Sequence, residues 1–378
     1  MAGADDKKTT LIQPPDFTVM KICFTIQGEG RGHFTQALAM REMLQRNGHE
    51  LVAAIAGTNG KRPLPDYVQG AFGVPLQTMF SPGFQFKAQR GISVAGSIAE
   101  AFGRLPEFRQ SLRLLDETIE KTKPDLIINF LEAATGVGKF LRRIKTPVLV
   151  LGHQYMLGHP AFVRSNHART QQMGFRNFVA LVGSRSAKLA LSFYPADDQP
   201  RKKIFVCPPI LRRQLFELKN VQRGDYLLVY LLNHGYAGDI ERWCAANPSV
   251  PVHCFYDKPG APEEENKSPS LTFHKLHGEK FLQLMAGCRA VVCTAGFESV
   301  SEAAYLGKPV LMIPVQNHIE QFLNALDGVK AGIGLNDEQF NLSRLLAPEV
   351  PCAGQAFRDW VDRAESIAMK VAEKVASE

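Results

Sequence analysis

The chain has 378 residues, a hydrophobic share of 45%, a charged share of 21% and a formal net charge of +7, the balance of a folded chain long enough for two domains. No apolar run approaches the ~20 residues that a membrane-spanning helix needs. The seven cysteines are scattered, with no CxxC pair or His/Cys cluster, which argues against a zinc site or a disulfide framework and for a reducing, cytoplasmic setting.

Residues 1–17 are polar, lack the apolar core of a secretory signal and read as a disordered lead-in. Lys21 to Ile26 reads as a buried strand, followed by the turn Gln27-Gly28-Glu29-Gly30-Arg31-Gly32-His33. Phe34 to Asn47 has helical periodicity and Gly48 stops it; Leu51 to Ala56 is the next strand. This is a βαβ unit. Its turn is not a dinucleotide fingerprint, because His33 stands at the third glycine of GxGxxG and no acidic residue ends the following strand. Nor is it a P-loop, since no GK[ST] follows. A Gly-rich turn that delivers a His to a helix start suggests an imidazole doing chemistry beside a ligand; simple helix capping by His33 is the structural alternative.

Residues 60–105 are irregular, with Phe80, Phe84, Phe86 and Phe102 interleaved with Lys87, Arg90 and Arg104. Such a loop could receive an aromatic or lipid-like acceptor, or its rings could simply pack the core. A helix over Arg109–Thr122, a strand over Pro124–Phe130, a helix over Ala133–Ile144 and a strand over Val148–Tyr155 follow. The last strand ends in His153-Gln154, site candidates because parallel sheets bind ligands outside their carboxyl ends. Leu189–Phe193 and Ile204–Val206 continue the alternation up to Cys207-Pro208-Pro209, which reads as a boundary.

A fresh α/β series begins after it, with strands at Tyr226–Leu232, Val252–Tyr256, Leu271–His274, Ala290–Thr294 and Pro309–Pro314. Helices are expected over Glu279–Gly287 and Ser299–Leu306, a polar surface loop over Pro259–Ser270, and one amphipathic helix over Ala356–Ser377. The expected organisation is a domain over 18–208, closed by the terminal helix 356–377, and a second over 209–355. The two Rossmann-like halves would face each other across a cleft.

In the second half, Val291–Thr294 runs into Ala295-Gly296-Phe297-Glu298-Ser299 and opens a helix, whose amino end is a natural phosphate seat. Glu302, about one turn inside, is placed to meet a sugar hydroxyl. Basic residues concentrate at Lys139–Lys145, Arg201–Lys203 and Arg212–Arg213. Solvated faces explain such runs; attraction to anionic headgroups or an acidic substrate is the sharper reading. Nucleic acid is disfavoured, as neither a ribonucleoprotein motif nor a zinc finger occurs.

Gly28-Glu29-Gly30-Arg31-Gly32-His33 with Ala37-Leu38-Ala39, Gly296-Phe297-Glu298-Ser299-Val300-Ser301-Glu302-Ala303 and Gly307–Pro314 resemble the motifs of glycosyltransferases of the two-Rossmann, or GT-B, fold. The chain is similar to the bacterial transferases that add N-acetylglucosamine to the lipid-linked peptidoglycan precursor. It is more similar still to largely uncharacterised bacterial and archaeal relatives, through His153-Gln154 and Tyr230-Leu231-Leu232-Asn233. The resemblance implies inverting transfer from a nucleotide diphosphate sugar, with uridine the family-weighted base. By the same likeness Glu302 holds the ribose, and Ala295, Gly296, Phe297 and Ser299 receive the diphosphate. The stretch Phe273–Gly278, including His274 and Leu276, holds the base, largely by backbone. Glu320-Gln321, with Asn324 one turn on, meets the donor sugar, and His33 sits near the reacting centre. Gly30, Gly32, Gln154 and Asn233 are expected to line the cleft on the acceptor side.

Three departures stand out, one being the Gly-rich loop that opens the relative's second domain, here Asn233-His234-Gly235-Tyr236-Ala237-Gly238 with fewer glycines and an extra His and Tyr. The relative carries Gln-Gln where this chain has Glu320-Gln321, and the relative's membrane-docking patch has no counterpart at the same place, so its acceptor does not carry over. The acceptor could be a lipid, a glycan or a small molecule, with peripheral contact on the inner membrane face open to the basic surface. The absence of an Asp-x-Asp motif fits leaving-group stabilisation without a metal or other cofactor. His33 is the candidate base or electrostatic stabiliser, and His153 the second candidate. A nucleotide-sugar 2-epimerase shares the fold but needs several carboxylates around the sugar, where this half offers chiefly Glu29 and Glu132. A sugar-nucleotide-binding partner without transfer is the non-enzymatic alternative, which an intact His33 and Glu302 oppose.

Overall fold

Short apolar runs rich in Val, Ile and Leu, buried on both faces, are what a covered parallel sheet requires, and the computed structural model places nearly every such run in one. It describes residues 19–60, 64–81, 85–87, 91–93, 103–219, 221–231 and 234–378. The first half runs β1 (Lys21–Gln27), α1 (Arg31–Arg46), β2 (Glu50–Thr58), β3 (Leu76–Phe80), a ribbon of β4 (Gln85–Lys87) and β5 (Gly91–Ser93), α2 (Leu105–Thr122), β6 (Leu126–Phe130), α3 (Ala133–Phe140), β7 (Val148–Gly152), α4 (Arg169–Val182), β8 (Ala187–Leu191) and β9 (Ile204–Cys207). The second half runs α5 (Arg213–Phe216), β10 (Leu227–Leu231), α6 (Ala237–Ala246), β11 (Val252–Tyr256), β12 (Glu264–Ser268), β13 (Leu271–Lys275), α7 (Gly278–Gly287), β14 (Ala290–Cys293), α8 (Phe297–Tyr305), β15 (Val310–Met312), α9 (Ile319–Lys330) and β16 (Gly334–Asn336). It closes with α10 (Gln355–Val361) and α11 (Ala364–Ala376).

The first sheet has the order β3-β2-β1-β6-β7-β8-β9 and every described pairing in it is parallel. The second has the order β12-β13-β11-β10-β14-β15-β16, parallel except for β12. Each sheet therefore reverses its strand order once, at β1/β6 and at β10/β14. A crevice opens at such a switch point, outside the carboxyl ends of the strands. The two Rossmann-like halves thus carry their binding edges at β1 and β14.

One apolar core runs through both halves, joining Phe24, Phe34 and Phe130 of the first with Val291, Phe297 and Met312 of the second. Helix α11 returns to the first domain and packs on α1 and on β6 to β9. The indole of Trp360 on α10 donates to the Ser192 carbonyl at 3.0 Å.

Several expectations shift. The first helix begins at Arg31 rather than Phe34, with Gly30 as its extended N-cap, so His33 lies inside the first turn. The predicted strand over Val148–Tyr155 ends at Gly152 and turns into a 3-10 segment, His153–Gly158. The predicted loop over Pro259–Ser270 contains β12, an antiparallel edge strand whose charged side chains suit an exposed edge. The single terminal helix is two, α10 and α11. Helix α4 was not anticipated; of its 14 residues only Phe175, Val179 and Val182 are buried, so its apolar stripe is thin. In the 60–105 stretch, Arg104 lies over the Phe80 ring at 4.1 Å. Phe84, Arg90, Phe102 and the side chains of Phe86 and Lys87 fall outside the described residues.

Replacing Trp360 with Ala removes a buried ring and leaves the Ser192 carbonyl unpaired. The expected cost is about 3–5 kcal/mol of stability, read as a lowered urea midpoint.

Candidate active site

Two βα turns face each other. The first leaves β1 at Gln27. Its tight course depends on Gly28, whose N–H donates to the Gly57 carbonyl at 2.7 Å; a Cβ there would lie 2.6 Å from that oxygen. The second leaves β14 through Thr294 and Ala295. Ala295 adopts φ 57°, a left-handed conformation that costs a non-glycine residue about 1 kcal/mol. Gly296 is the extended N-cap of α8 and carries no side chain, so the first-turn N–H groups of α8 are left for another acceptor. Between these turns lies a cleft of about 1220 Å³, whose walls include Gly30, Gly32, His33, Gln154, Gly296, Phe297, Ser299, Glu302, Glu320 and Gln321.

His33 lines the cleft, while its Nδ1 is buried without a hydrogen-bond partner. Burial pushes the imidazole down to about 4, with the neighbouring Gln36 side chain pulling the other way. It is neutral at pH 7. Three residues along α1, Gln36 crosses to the second domain, its Nε2 donating to Glu298 Oε1 at 2.6 Å. Burial drives the Glu298 carboxyl up to about 8; Gln36 opposes the rise, Glu302 adds to it and Arg212 opposes it.

Glu302 is buried and bound at both oxygens by Arg212, with Nε to Oε1 at 2.5 Å and Nη2 to Oε2 at 2.8 Å. Arg212 follows the Pro208-Pro209 boundary and itself lines the cleft. Its guanidinium brings a positive charge to the mouth of the α8 turn, and any hydroxyl approaching Glu302 meets this ion pair. At the other end, Gln154 Nε2 of the first domain donates to Glu320 Oε1 at 2.8 Å. Burial raises the Glu320 carboxyl against that bond. Gln321 Oε1 accepts from the Val315 N–H at 2.9 Å, holding the segment after β15.

Four expected site residues have side chains turned away from the cleft, which leaves the backbone roles expected of Ala295 and His274 untouched. His153 does not line the cleft. Its ring stacks on Phe297 at 4.3 Å and 18°, its Nδ1 bonds the Leu191 carbonyl at 2.7 Å, and Asp327 lies 3.6 Å from its Nε2. Burial lowers its pKa, with Asp327 and the Leu191 bond opposing. It packs against Phe297 at the start of α8, away from the cleft. Asn324 is buried and donates to the Ala295 carbonyl at 3.2 Å, securing the left-handed turn rather than meeting a sugar. Ala295 itself is fully buried and acts through its backbone. His274 is turned inward, its Nε2 2.9 Å from His253 Nδ1 and its ring stacked on Phe255, whereas Leu276, His277 and Gly278 reach the cleft. Asn233 lies outside the described residues.

Sequence reading overlooked Gln36, Arg212, Glu298 and His318, all on the cleft wall. His318 caps α9, accepting from the Gln321 N–H, and burial lowers it to about 4. Of these only Arg212 is singled out in the sequence, as part of the basic pair Arg212–Arg213. Of the two carboxylates in the first half, Glu132 caps α3, accepting from the Ala134 and Thr135 N–H groups at 2.7 Å each. Glu29 Oε1 accepts from the Asn59 N–H at 3.2 Å.

A family model described as glycosyl transferase family 1 matches residues 20–347. An uncharacterized glycosyltransferase of Methanosarcina mazei is 25% identical over 363 residues, covering 90% of this chain and 91% of that protein. A UDP-N-acetylglucosamine–N-acetylmuramyl-(pentapeptide) pyrophosphoryl-undecaprenol N-acetylglucosamine transferase of Porphyromonas gingivalis is 24% identical over 342 residues, 81% of this chain and 80% of that protein. Among solved structures, the Phytolacca americana UGT2, complexed with UDP-2-fluoro-glucose and pterostilbene, superposes with a TM-score of 0.57 at 12% identity, covering 94% of this chain and 95% of that one. The glycosyltransferase SnogD of Streptomyces nogalater gives 0.51 at 16% identity, with 96% of each chain covered. These likenesses carry the GT-B fold.

Replacing Arg212 with Met leaves the Glu302 carboxylate buried and unpaired. The expected loss is on the order of 2 kcal/mol, below the roughly 3–5 of a fully buried pair because the Arg212 side chain is 21% exposed. The double variant Arg212→Met/Glu302→Gln should recover most of it, measured by urea denaturation.

Proposed function

We propose, from the premise that this chain belongs to the glycosyl transferase family 1 family, that this enzyme moves a sugar from a nucleotide diphosphate donor to an acceptor hydroxyl, with inversion and without a metal. The donor base is taken as uracil, by likeness to relatives and neighbours whose names or titles include UDP. The observation that carries the reading is the apposition, in one cleft, of the His33 turn of the first domain and the open amino end of α8 in the second.

In this reading the second domain holds the donor. The α8 amides and the Arg212 guanidinium face the diphosphate, Glu302 meets the ribose beside its ion pair, and Glu320-Gln321 meets the sugar. The acceptor enters from the first domain. Its oxygen bonds to the anomeric carbon as the bond from that carbon to the diphosphate oxygen breaks. The bonding pair leaves with the diphosphate, and the hydroxyl proton passes to His33. Positive charge from Arg212 and the helix amides supports leaving-group stabilisation without a divalent ion. The 2-epimerase alternative is weakened by the capping role of Glu132, which removes a carboxylate from its site.

No helix among the described residues is long and apolar enough to cross a membrane. The basic segment 139–145 exposes Phe140 and Leu141, and this supports peripheral contact with an anionic surface as a route to a lipid-like acceptor.

Mass spectrometry after incubation with a panel of nucleotide sugars and cell extract should reveal a glycosylated product and free nucleoside diphosphate, undiminished by EDTA. His33→Ala should lower kcat by roughly 10²–10⁴-fold with little change in donor KM; near-normal turnover would sink the base assignment. Glu302→Ala should weaken nucleotide binding about tenfold or more, the worth of a hydrogen bond to a charged group. Epimerised donor in the absence of any acceptor would instead favour the 2-epimerase.

A further inference from the structure

The seam between α1 and α8 contains three buried polar atoms without a hydrogen-bond partner: His33 Nδ1, Gln36 Oε1 and Glu298 Oε2. Buried atoms of this kind cost roughly 1–3 kcal/mol each when unpaired. Here they belong to three neighbouring side chains. Gln36 already bonds Glu298 through its amide nitrogen at 2.6 Å and lies close enough to His33 to raise its proton affinity. The Gly32 position brings the two helices together, since a Cβ there would lie 3.4 Å from Glu298 Cγ.

We propose that Glu298 of the second domain, acting through the Gln36 amide, sets the tautomer of His33, so that the imidazole is a competent base only when the two domains are closed. The inference rests on the reading of His33 as the base. It assigns Gln36 and Glu298 as positioning residues that act through it.

The chemistry follows from donor and acceptor counting. With Glu298 ionised, both its oxygens only accept. Gln36 must then give its NH2 to Glu298 and turn its carbonyl toward His33. That carbonyl takes the proton on Nδ1, leaving Nε2 with a lone pair for the acceptor hydroxyl. With Glu298 protonated, its O–H needs an acceptor. The amide turns over, its carbonyl faces Glu298, and its NH2 faces His33 Nδ1. The imidazole proton then resides on Nε2, which can no longer take one. Going from the second state to the first, the Glu298 proton passes to solvent, the amide turns over, and the imidazole gives up its Nε2 proton to solvent while taking one up on Nδ1; nothing passes directly between the three groups. If the domains part, Gln36 loses Glu298 and the orientation is lost with it.

The surrounding charges place this change in a usable range. Burial, the largest influence, pushes the Glu298 carboxyl up to about 8. The groups facing it are Gln36 from α1, Glu302 one turn along α8, and Arg212 from the segment after the prolines. Tyr67, which interacts with Thr35, Arg31, Arg212 and Glu302, borders the same cluster. The base-competent tautomer therefore gains population as pH rises through about 8, although His33 itself is already neutral well below that.

Histidine 15N spectra of the full chain test this without a substrate, with His33 assigned by the signal lost in His33→Gln. In the wild type, His33 should carry its proton on Nε2 at pH 6.5 and on Nδ1 at pH 9.5. In Glu298→Gln, which is the same size and uncharged throughout, the tautomer should not change with pH. In Gln36→Met, which removes donor and acceptor at similar volume, it should not change either. A His33 tautomer that is constant in the wild type, or that still switches in Glu298→Gln, overturns the relay, and Glu298→Gln decides alone if Gln36→Met does not fold. Where turnover is measured, kcat in Glu298→Gln should fall by on the order of tenfold, a part of what general-base catalysis supplies. Its limb near pH 8 should vanish while donor KM holds. If His33→Gln keeps its turnover, the base reading fails while the tautomer result stands. If His33→Gln is inactive and the tautomer is unmoved, the relay fails alone.

Discussion

A parallel sheet presents all its strand carboxyl ends along one edge, and helix amino ends follow them there. In this protein two such edges face one another, at β1 and at β14, and every site feature follows from that confrontation. The facing edges bring a helix that carries an imidazole to a helix that carries an anion seat. In the proposed reading neither half holds a complete site, because His33 stands on one domain and the open end of α8 on the other.

The contact between the halves is more polar than a simple hinge requires. Gln36 meets Glu298, Gln154 meets Glu320, Arg31 lies 3.7 Å from Asp257, and Tyr194 donates to Asp327 at 2.7 Å. Beneath them the stack of His153 on Phe297 fills the space behind the α8 turn with apolar area. Apolar contact gives adhesion without direction, whereas buried polar pairs tolerate few geometries. The combination fixes how the cleft walls are aligned.

Chemistry in the cleft is governed by desolvation. His33, His318, Glu298 and Glu320 are all shifted toward their neutral forms by burial. Both oxygens of Glu302 are engaged by Arg212.

The sequence by itself determined the alternation of buried strands and helices, the two Gly-containing turns and the place of His33, Gly296, Glu302 and Glu320-Gln321. These are local properties: burial on both sheet faces forces apolar runs, and close backbone approach forces Gly28. Which way a side chain points at a strand end was not legible. His153, His274 and Asn324 have the chemistry of site residues, yet each is turned into the core by contacts more than twenty residues away, with Leu191, His253 and Ala295. For the same reason Gln36 and Glu298, separated by 262 positions, look like ordinary helix residues until the domains close. Only tertiary structure decides whether a polar side chain faces water, a ligand or another helix, because that choice depends on which distant group arrives to satisfy its hydrogen bonds.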